Sequence, residues 1–345
     1  MTSIAVVILN FNGCDLLQKF LPSVVQNSVS ARVIVIDNGS TDRSCDVVKR
    51  DFPTVELIPL ATNLGFCGGY NHILKSLEAD YCVLLNSDVE VTEGWLGPMI
   101  QVLDENPQAA AVQPKILSYH SKKYFEYAGA GGGFIDTLGY PFCRGRLFYS
   151  LEEDLGQYND KSEIFWASGA CTMLRLKLFN EIGGLDEDFF AHMEEIDLCW
   201  RLQRAGHKIL YEGKSSVYHV GGGTLSASNP KKTYLNFKNG LSLLYKNLPF
   251  NELIIKFPIR IVLDWIAALK FTFSGSFRDG SAVIKAHRHF FGSFGKENVK
   301  RKRAAIFGYK KLPNQYDGSI VWDFFIAGKR KYSQLRTLDD NPSKI

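Results

Sequence analysis

The chain has 345 residues, of which 46% are hydrophobic and 22% charged, and its formal net charge is +4. This length is enough for two domains, or for one large domain with an appendage, and the composition excludes collagen-like, low-complexity and wholly disordered chains. The charge is unevenly divided, because residues 1–250 carry 22 basic and 28 acidic side chains whereas residues 251–345 carry 18 and 8. A basic C-terminal segment favours contact with an anionic surface, or else forms a solvated basic face.

The compartment is predicted from the cysteines and from the N-terminus. Seven cysteines are scattered without a Cys-x-x-Cys pair, so neither a disulfide framework nor a zinc ribbon is expected. The apolar run at residues 4–9 is too short for a signal peptide and predicts a buried strand. No uncharged apolar stretch approaches the roughly 18 residues that a spanning helix needs. These features favour a cytoplasmic protein with reduced thiols.

The first 120 residues alternate short apolar runs with amphipathic stretches, a pattern typical of parallel strands joined by helices. The predicted strands are residues 4–9, 32–37, 55–59, 81–85 and 109–113. The predicted helices are residues 16–27, 42–51, 68–77 and 93–106. Ligands bind such sheets at the carboxyl ends of the strands, so the polar sequence after each strand marks a candidate site.

The rest of the chain has a different pattern. Residues 119–162 are rich in glycine and aromatic residues, which predicts a long loop or a short antiparallel excursion. The remaining predicted elements are a strand-like stretch at 164–176, a turn at 182–190, a helix at 194–205, short strands at 208–211 and 217–220, and helices from residue 230 onward. We therefore predict a first domain at residues 1–228 and a helical, basic extension at residues 229–345.

Polar residues follow the first two predicted strands. Asn10 ends the first strand, and Asp37 and Asn38 end the second. An aspartate at this point can accept hydrogen bonds from a nucleotide base or ribose, although an Asx turn that caps the next helix has the same sequence.

A glycine-rich stretch precedes the third predicted helix. It contains Asn63, Gly65 and Asn71. Backbone amides at such a helix start can contact a diphosphate, although the stretch matches no established phosphate-binding fingerprint.

Asn86 and Asp88 follow the very apolar fourth strand. A carboxylate in this place either caps a turn or binds a cation, and Mg²⁺ or Mn²⁺ is usually held by oxygen ligands together with substrate phosphates. His219, at the end of a later strand, could complete the metal site or could be structural.

The densest acidic cluster begins the helix predicted at residues 194–205. Glu194 and Glu195 start it, and Asp197 and Arg201 share a face with Glu194. Acidic residues at a helix start are favoured by the helix dipole, but several carboxylates beside a glycine turn also suit general base catalysis.

The order and spacing of these motifs over residues 3–224 resemble the family 2 glycosyltransferases with the GT-A fold, especially their bacterial rhamnosyltransferase-like branch. The resemblance implies an α/β fold with a Rossmann-like, mostly parallel sheet flanked by helices, followed here by the C-terminal helical extension. It implies that Asp37 contacts the nucleotide. The Asp-x-Asp element of the family maps onto Asn86 and Asp88, so only the second carboxylate is present, and His219 matches a histidine that completes the metal site.

The resemblance also implies a reaction. Glu195 maps onto the family's base, with Glu194 as the alternative, and Trp166, Ser168 and Gly169 resemble the floor beneath donor and acceptor. The implied chemistry is a metal-dependent displacement that inverts the anomeric carbon. The implied donor is a UDP- or dTDP-linked sugar, and the implied acceptor is a hydroxyl of a glycan or polyprenyl-linked molecule in bacterial surface polysaccharide assembly.

Residues 251–273 carry five charged side chains that fall within a polar sector of roughly 120° on a helix. This pattern predicts an interfacial helix at an anionic membrane surface on the inner face of the cytoplasmic membrane. A helix packed on the catalytic domain or in a dimer interface is the alternative. No nucleic acid partner is expected.

Two other functions were weighed against glycosyl transfer. A metal-dependent nucleotidyltransferase would need a basic residue in the loop after the first strand, and residues 10–13 have none. A non-enzymatic membrane or nucleic-acid adaptor that acts through the basic tail would leave the motifs of residues 37–219 without a purpose.

Overall fold

The computed structural model describes residues 2–221, 229–309 and 312–335. Its strands are β1 (Ile4–Asn10), β2 (Arg32–Asp37), β3 (Glu56–Pro59), β4 (Tyr81–Asn86), β5 (Val89–Val91), β6 (Ala109–Ser118), β7 (Gly133–Asp136), β8 (Pro141–Cys143), β9 (Arg146–Leu147), β10 (Ser150–Leu151), β11 (Lys161–Glu163), β12 (Cys171–Arg175), β13 (Lys208–His219) and β14 (Gln315–Tyr316). Its helices are α1 (Cys14–Asn27), α2 (Ser44–Asp51), α3 (Gly65–Leu74), α4 (Leu96–Glu105), α5 (Leu176–Glu181), α6 (Glu194–Arg204), α7 (Pro230–Asn247), α8 (Phe250–Phe273), α9 (Phe277–Gly292), α10 (Phe294–Ala304) and α11 (Ile320–Phe325). Short 3₁₀ turns occur at Glu187–Phe189, Ala305–Phe307 and Tyr332–Gln334.

The central sheet has the strand order β11-β13-β6-β12-β4-β1-β2-β3, and β5 pairs with β13. β1 to β4 pair in parallel through the order β4-β1-β2-β3, and β6 pairs in parallel with β13. β12 is antiparallel to both of its neighbours, β4 and β6. The expected α/β fold with a mostly parallel sheet is confirmed.

Side chains of the central strands alternate between two apolar layers. In β1, Ala5 and Val7 pack in one layer with α3 and α6, whereas Val6 and Ile8 pack in the other with α1 and α4. Alternation with a period of two is how a strand covered on both faces contributes to two cores. The continuous apolar runs that predicted these strands follow from this burial.

Several observed elements differ in extent from the expected ones. β6 continues to Ser118, and α3 begins at Gly65, three residues before the helix that was predicted. Residues 208–219 form one strand rather than two, with a register shift between Glu212 and Ser216 that accounts for the polar interruption.

Residues 119–162 form the short antiparallel excursion that was one of two expectations. They contribute β7 to β10 to a second sheet with the order β10-β9-β8-β7-β14. The last strand of this order, β14, comes from the C-terminal part of the chain and pairs in parallel with β7. The carboxylate of Asp136 at the end of β7 accepts a hydrogen bond from the backbone N–H of Ile320 at 2.9 Å.

The C-terminal part therefore contacts the second sheet directly. The predicted boundary at residue 228 lies outside the described residues, so the division into domains stays a prediction. Within the described ranges, no helix is both long enough and apolar enough to cross a membrane.

Candidate active site

Asn10 and Asp37 lie side by side at the carboxyl ends of β1 and β2, where they are partners in the parallel register. The Asn10 side-chain amide donates to Asp37 Oδ1 at 3.0 Å, and the backbone N–H of Ser40 donates to Asp37 Oδ2 at 3.0 Å. Asn10 Oδ1 is buried without a hydrogen-bond partner. Both side chains are buried, so this corner offers carboxylate and amide oxygens beneath the crevice.

Asn38, a predicted donor contact, forms hydrogen bonds within the protein. Its amide donates to Asn63 Oδ1 at 3.1 Å and to the carbonyl of Gly65 at 3.0 Å, and its Oδ1 accepts from the N–H of Leu64 at 2.9 Å. These bonds use both amide hydrogens of Asn38 to shape the approach to α3, and the donor contact of Asn38 stays a prediction. Asn63 is exposed and adjoins this turn, and Gly65 is buried at the start of α3.

The Asn71 side chain also forms hydrogen bonds within the protein. Its amide donates to the carbonyl of Leu185 at 2.8 Å and to Glu187 Oε1 at 3.0 Å, and its Oδ1 accepts from the N–H of Leu185 at 2.9 Å. The side chain is 2% exposed. Asn71 therefore joins α3 to the segment that precedes α6, and its donor-binding role stays a prediction.

Asn86, Asp88 and His219 are brought together from β4, the turn after it and the end of β13. His219 Nε2 lies 3.1 Å from Asp88 Oδ1 and 3.3 Å from the amide nitrogen of Asn86. Burial acts to lower the pKa of His219, but Asp88 and Glu126 outweigh it and raise that pKa to about 10. Burial acts to raise the pKa of Asp88, but the hydrogen bond and charge of His219 lower it.

Glu126 was not predicted as part of this cluster. Its Oε2 lies 3.2 Å from His219 Nδ1, on the side of the ring opposite Asp88, and it accepts a hydrogen bond from the N–H of Ala128. Glu126 and His219 are both buried. A carboxylate behind a histidine fixes the ring orientation, which is the usual arrangement around metal-binding histidines. Sequence patterns gave no signal for Glu126, because it lies in the glycine- and aromatic-rich stretch rather than at a predicted strand end.

The donor set at Asp88 and His219 fits a divalent cation held jointly with a phosphate ligand. Asp88 Oδ1 and His219 Nε2 lie 3.1 Å apart, close enough for one ion to take both as neighbouring ligands, one oxygen and one nitrogen. Across the described ranges, no group of three or more His, Cys, Asp and Glu side chains is arranged to hold a metal alone. Mg²⁺ and Mn²⁺ sites with few protein ligands are completed by substrate phosphates and water.

The predicted floor residues are largely covered. Trp166 is 3% exposed and donates from its indole nitrogen to the carbonyl of Phe134 at 2.8 Å. A Cβ at Gly133 would lie 2.2 Å from this indole, so only glycine allows the ring to pack there. The Ser168 hydroxyl donates to the carbonyl of Ala128 at 2.9 Å, two residues from Glu126. Trp166 and Ser168 are buried and Gly169 is partly exposed, and their role as a floor stays a prediction.

Glu194 and Glu195 begin α6 as predicted, and each has an Oε2 atom that is buried without a hydrogen-bond partner. Burial raises the pKa of Glu195 to about 7. Burial and the neighbouring charge of Glu195 raise the pKa of Glu194 well above its usual range. Two carboxylates with raised pKa values, each with one oxygen that has no partner, can take up protons near neutral pH.

The segment that leads into these glutamates has a strained backbone. Phe190, His192 and Met193 have positive φ values of 64°, 69° and 72°, a region that non-glycine residues seldom adopt. Asn239 on α7 holds this segment, because its amide donates to the carbonyls of Ala191 at 3.0 Å and His192 at 2.8 Å, and also to that of Phe189. Strain of this kind concentrates at functional sites and persists only where surrounding contacts enforce it.

Gly65 links this segment to the start of α3. A Cβ at Gly65 would lie 2.7 Å from the Phe190 ring, and φ at Gly65 is +73°. The N–H of Phe66 donates to the carbonyl of Phe190 at 3.0 Å. The start of α3 and the segment before α6 therefore contact one another directly. Gly65 lies between the predicted donor-binding residues and the predicted base.

A buried ionic network fixes α6 against α7. Asp197 is fully buried and accepts hydrogen bonds from Arg201 Nε at 2.8 Å, Lys246 Nζ at 2.8 Å and the Asn247 amide at 3.0 Å. Burial acts to raise the pKa of Asp197, but the charges of Lys246 and Arg201 hold it far below its usual range. Lys246 also contacts Asp186 at 2.9 Å. Neither Asn239 nor Lys246 was expected in the site, and their only sequence signal is a polar residue within a partly apolar helix.

The sequence profile described as glycosyl transferase family 2 matches residues 5–183, just over half of the chain. The chain belongs to glycosyl transferase family 2. Among the relatives of this glycosyltransferase is the N-acetylglucosaminyl-diphospho-decaprenol L-rhamnosyltransferase of Mycobacterium tuberculosis, which is 26% identical over 230 residues, covering 62% of this chain and 75% of that protein. The pre-mycofactocin glycosyltransferase of the same organism is 29% identical over 196 residues, which are 54% of this chain and 37% of that protein.

Solved structures match the fold. A structure of GalNAc-T7 with UDP, GalNAc and Mn²⁺ aligns with a TM-score of 0.58 and 14% identity, over 95% of this chain and 57% of that one. The mannosyltransferase PcManGT from Pyrobaculum calidifontis, in complex with GDP-Man and Mn²⁺, aligns with a TM-score of 0.52 and 12% identity, over 88% of this chain and 86% of that one. The expected GT-A fold and the family 2 resemblance with a rhamnosyltransferase relative are confirmed.

Asn239→Ala should weaken the segment before α6. The substitution removes the donor for up to three backbone carbonyls, and an unsatisfied buried polar group costs about 1–3 kcal/mol. We expect the free energy of unfolding, measured by urea titration, to fall by that amount and sugar transfer to fall with it. Asn251→Ala, at an exposed position at the start of α8, is the matched control and should change neither quantity. Wild-type stability and transfer in the Asn239 variant would contradict this role.

Proposed function

We propose that this glycosyltransferase inverts the anomeric carbon as it moves a sugar from a nucleoside-diphosphate donor to a hydroxyl group. The observation that carries the proposal is the pair of carboxylates at the start of α6, each with one oxygen atom that is buried and has no hydrogen-bond partner. An inverting transferase needs one proton acceptor beside the acceptor hydroxyl and no covalent nucleophile. The cysteines are consistent with this, because all seven are unpaired thiols and burial raises the pKa of those in the core, which keeps them in the unreactive form.

The donor would lie along the carboxyl ends of β1, β2 and β4. Asp37 would accept hydrogen bonds from the base or ribose, with Asn10 behind it. Asn63 and the backbone at Gly65 adjoin the same edge, and Asn86 and Asp88 would face the diphosphate. We propose a UDP- or dTDP-linked donor; the relative named as a rhamnosyltransferase and the structure solved with UDP support this class.

Asp88 and His219 would hold Mg²⁺ or Mn²⁺, with Asn86 beside them in place of the missing first carboxylate. When bound, the ion would supply positive charge to the diphosphate as it leaves. Glu126 would keep His219 Nε2 directed toward Asp88. The Mn²⁺ named in both solved glycosyltransferases supports this assignment.

Glu195 would act as the base in the transfer step. As the acceptor oxygen bonds to the anomeric carbon and the bond from that carbon to the diphosphate breaks, Glu195 would take the hydroxyl proton. A pKa raised toward neutrality makes the carboxylate a stronger proton acceptor than an exposed glutamate. Glu194, with its own partnerless oxygen, is the alternative base.

The acceptor would be a hydroxyl of a glycan or a polyprenyl-linked sugar in bacterial surface polysaccharide assembly. The support is the mycobacterial relative, which is named for rhamnosyl transfer to a diphospho-decaprenol-linked sugar. Trp166 would support the floor of the acceptor side from beneath, with Ser168 and Gly169 nearer to the substrates. Incubation with a panel of nucleotide sugars, read by nucleoside diphosphate release and by the anomeric configuration of the product, tests the proposal.

Glu195→Gln should lower sugar transfer by about 10²- to 10⁴-fold, because the amide keeps the size of the side chain but cannot accept the proton. Donor affinity, measured by calorimetry, should change little. Glu194→Gln is the matched control at the adjacent position. If only the Glu194 variant loses transfer, the base is Glu194; if neither does, the proposed base mechanism is wrong.

The transfer rate should fall as pH decreases through about 7. The active form of Glu195 is the carboxylate, and its raised pKa of about 7 means that it becomes protonated below neutrality. We expect kcat/KM to fall close to tenfold for each further pH unit on the acid side. Donor binding measured over the same range separates loss of the base from loss of substrate. A flat profile between about pH 5 and 8 would contradict a base with a raised pKa.

Glu126→Gln should weaken Mn²⁺ binding by about 10- to 100-fold, which is the usual effect of changing a residue that orients a metal-binding histidine. Binding is measured by electron paramagnetic resonance of Mn²⁺ in the presence of UDP, and therefore without turnover. Asp88→Asn and His219→Gln should weaken it at least as much. Glu153→Gln, an exposed carboxylate in the same part of the chain, is the control. Unchanged Mn²⁺ affinity in all three site variants would exclude this metal site.

A further inference from the structure

The middle of the charged side of α8, at Arg260 and Asp264, faces the protein rather than solvent. Arg260 and Asp264 are 3% and 0% exposed, and Arg260 Nε donates to Asp264 Oδ1 at 2.8 Å. Arg260 also donates to the carbonyl of Leu138 at 3.1 Å, and the Tyr140 hydroxyl donates to Asp264 at 3.1 Å. His287 from α9 lies 3.3 Å from the second oxygen of Asp264. This network fixes the rotation of α8 about its own axis.

The opposite side of α8 is apolar and exposed. We define the outer face as a set of exposed apolar side chains on this side of α8 and on α9, without Phe250 at the first residue of α8. Its members are Ile254, Ile255, Ile259, Val262, Trp265, Ile266, Leu269 and Phe273 of α8, and Phe277, Ile284 and Phe291 of α9. Their exposed fractions run from 44% at Ile284 to 87% at Phe273. So many exposed apolar side chains on neighbouring helices of a folded protein mark a site of interaction with a partner or a membrane.

The exposed charged side chains of α8, α9 and α10 are all positive. Within residues 250–309 the exposed ionisable lysines and arginines are Lys270, Arg278, Lys285, Arg288, Lys296, Lys302 and Arg303. The acidic residues of the same range are Glu252, Asp264, Asp279 and Glu297, and each of them is buried or partly buried. Asp264 pairs with Arg260, and Glu252 with Lys256. An apolar face with a cationic border is complementary to a surface that is apolar within and anionic at its edge.

We propose that the outer face docks on the anionic surface of a phospholipid bilayer, with α8 and α9 lying in the headgroup region. Apolar side chains on one side and Lys/Arg at the border are the pattern of interfacial helices. A second copy of the chain is the poorer occupant, because docking two outer faces would bring the same set of exposed cations together. The proposal extends the proposed function, since a polyprenyl-linked acceptor is itself held in a bilayer.

Vesicle binding tests the proposal without donor or acceptor. The full chain should sediment with vesicles that contain phosphatidylglycerol and bind more weakly to pure phosphatidylcholine, and added salt should weaken the binding because headgroup attraction is screened. Ile259→Gln/Ile266→Gln should weaken binding by about tenfold or more, because two apolar side chains no longer enter the bilayer. Lys285→Gln/Arg288→Gln should weaken binding to anionic vesicles by about fivefold for each charge.

The matched control is Val29→Gln/Leu155→Gln, which removes two apolar side chains that are 90% and 79% exposed elsewhere on the chain. It should bind vesicles as the wild type does. Circular dichroism confirms that each variant is folded. Equal binding by the Ile259/Ile266 variant and the control, or no vesicle binding by the wild type, would overturn the proposal.

Two further measurements separate this inference from the proposed function. Sedimentation equilibrium identifies a dimer: a wild-type dimer that Ile259→Gln/Ile266→Gln converts to monomer, without vesicle binding, would assign the outer face to a second copy and overturn the bilayer proposal. Sugar transfer to a soluble acceptor analogue should be unaffected by the outer-face substitutions. If the wild type transfers sugar from none of the donors in the panel, the proposed function is wrong, and the vesicle result is unaffected.

Discussion

The buried carboxylate of Asp197 is the constraint on which the geometry of the site depends. A charge with no exposure needs compensating partners, and two of the three that bond it, Lys246 and Asn247, come from the end of α7. Because Asp197 lies in the first turn of α6, docking α7 also fixes the direction in which Glu194 and Glu195 leave the strained segment before them. The C-terminal part of the chain is therefore a structural component of the candidate active site.

Amide side chains at the strand ends hold the edge of the sheet together. Asn38 and Asn71 use their hydrogen-bonding groups within the protein, and Asn63 Oδ1 accepts from the Asn38 amide, so the acceptors open to a ligand are the remaining lone pairs of the Asp37 and Asp88 carboxylates. Because the same network joins the start of α3 to the segment before α6, a ligand that contacts Asn63 could shift Glu195 through Gly65 and Phe190. Preorganised groups of this kind pay their ordering cost during folding rather than during the reaction.

The sheet and its parallel order were predictable, because apolar strands buried on both faces leave a strong local pattern and the polar residues at their ends meet at one edge. Side-chain availability was not predictable, since the same asparagine can bind a ligand or the backbone depending on distant residues. Glu126 and Asn239 escaped notice for this reason: their partners, His219 and the carbonyls before α6, are far away in sequence. In α8 the polar sector was predicted, but not that it would face Leu138, Tyr140 and His287.

The outer face is connected to α6 through α7. The end of α7 bonds to Asp197 of α6, and only Leu248 and Pro249 separate α7 from α8. Arg301 of α10 donates to the carbonyl of Leu248 at 2.7 Å and also to that of Tyr245, so this junction is braced from a third helix. A rigid junction transmits orientation: once α8 and α9 lie on a bilayer, the position of α7 relative to that surface is set, and the position of α6 with it. A lipid-linked acceptor is confined to the same surface. Its search for Glu195 would then be limited to two dimensions, which raises the encounter rate without any new contact to the sugar.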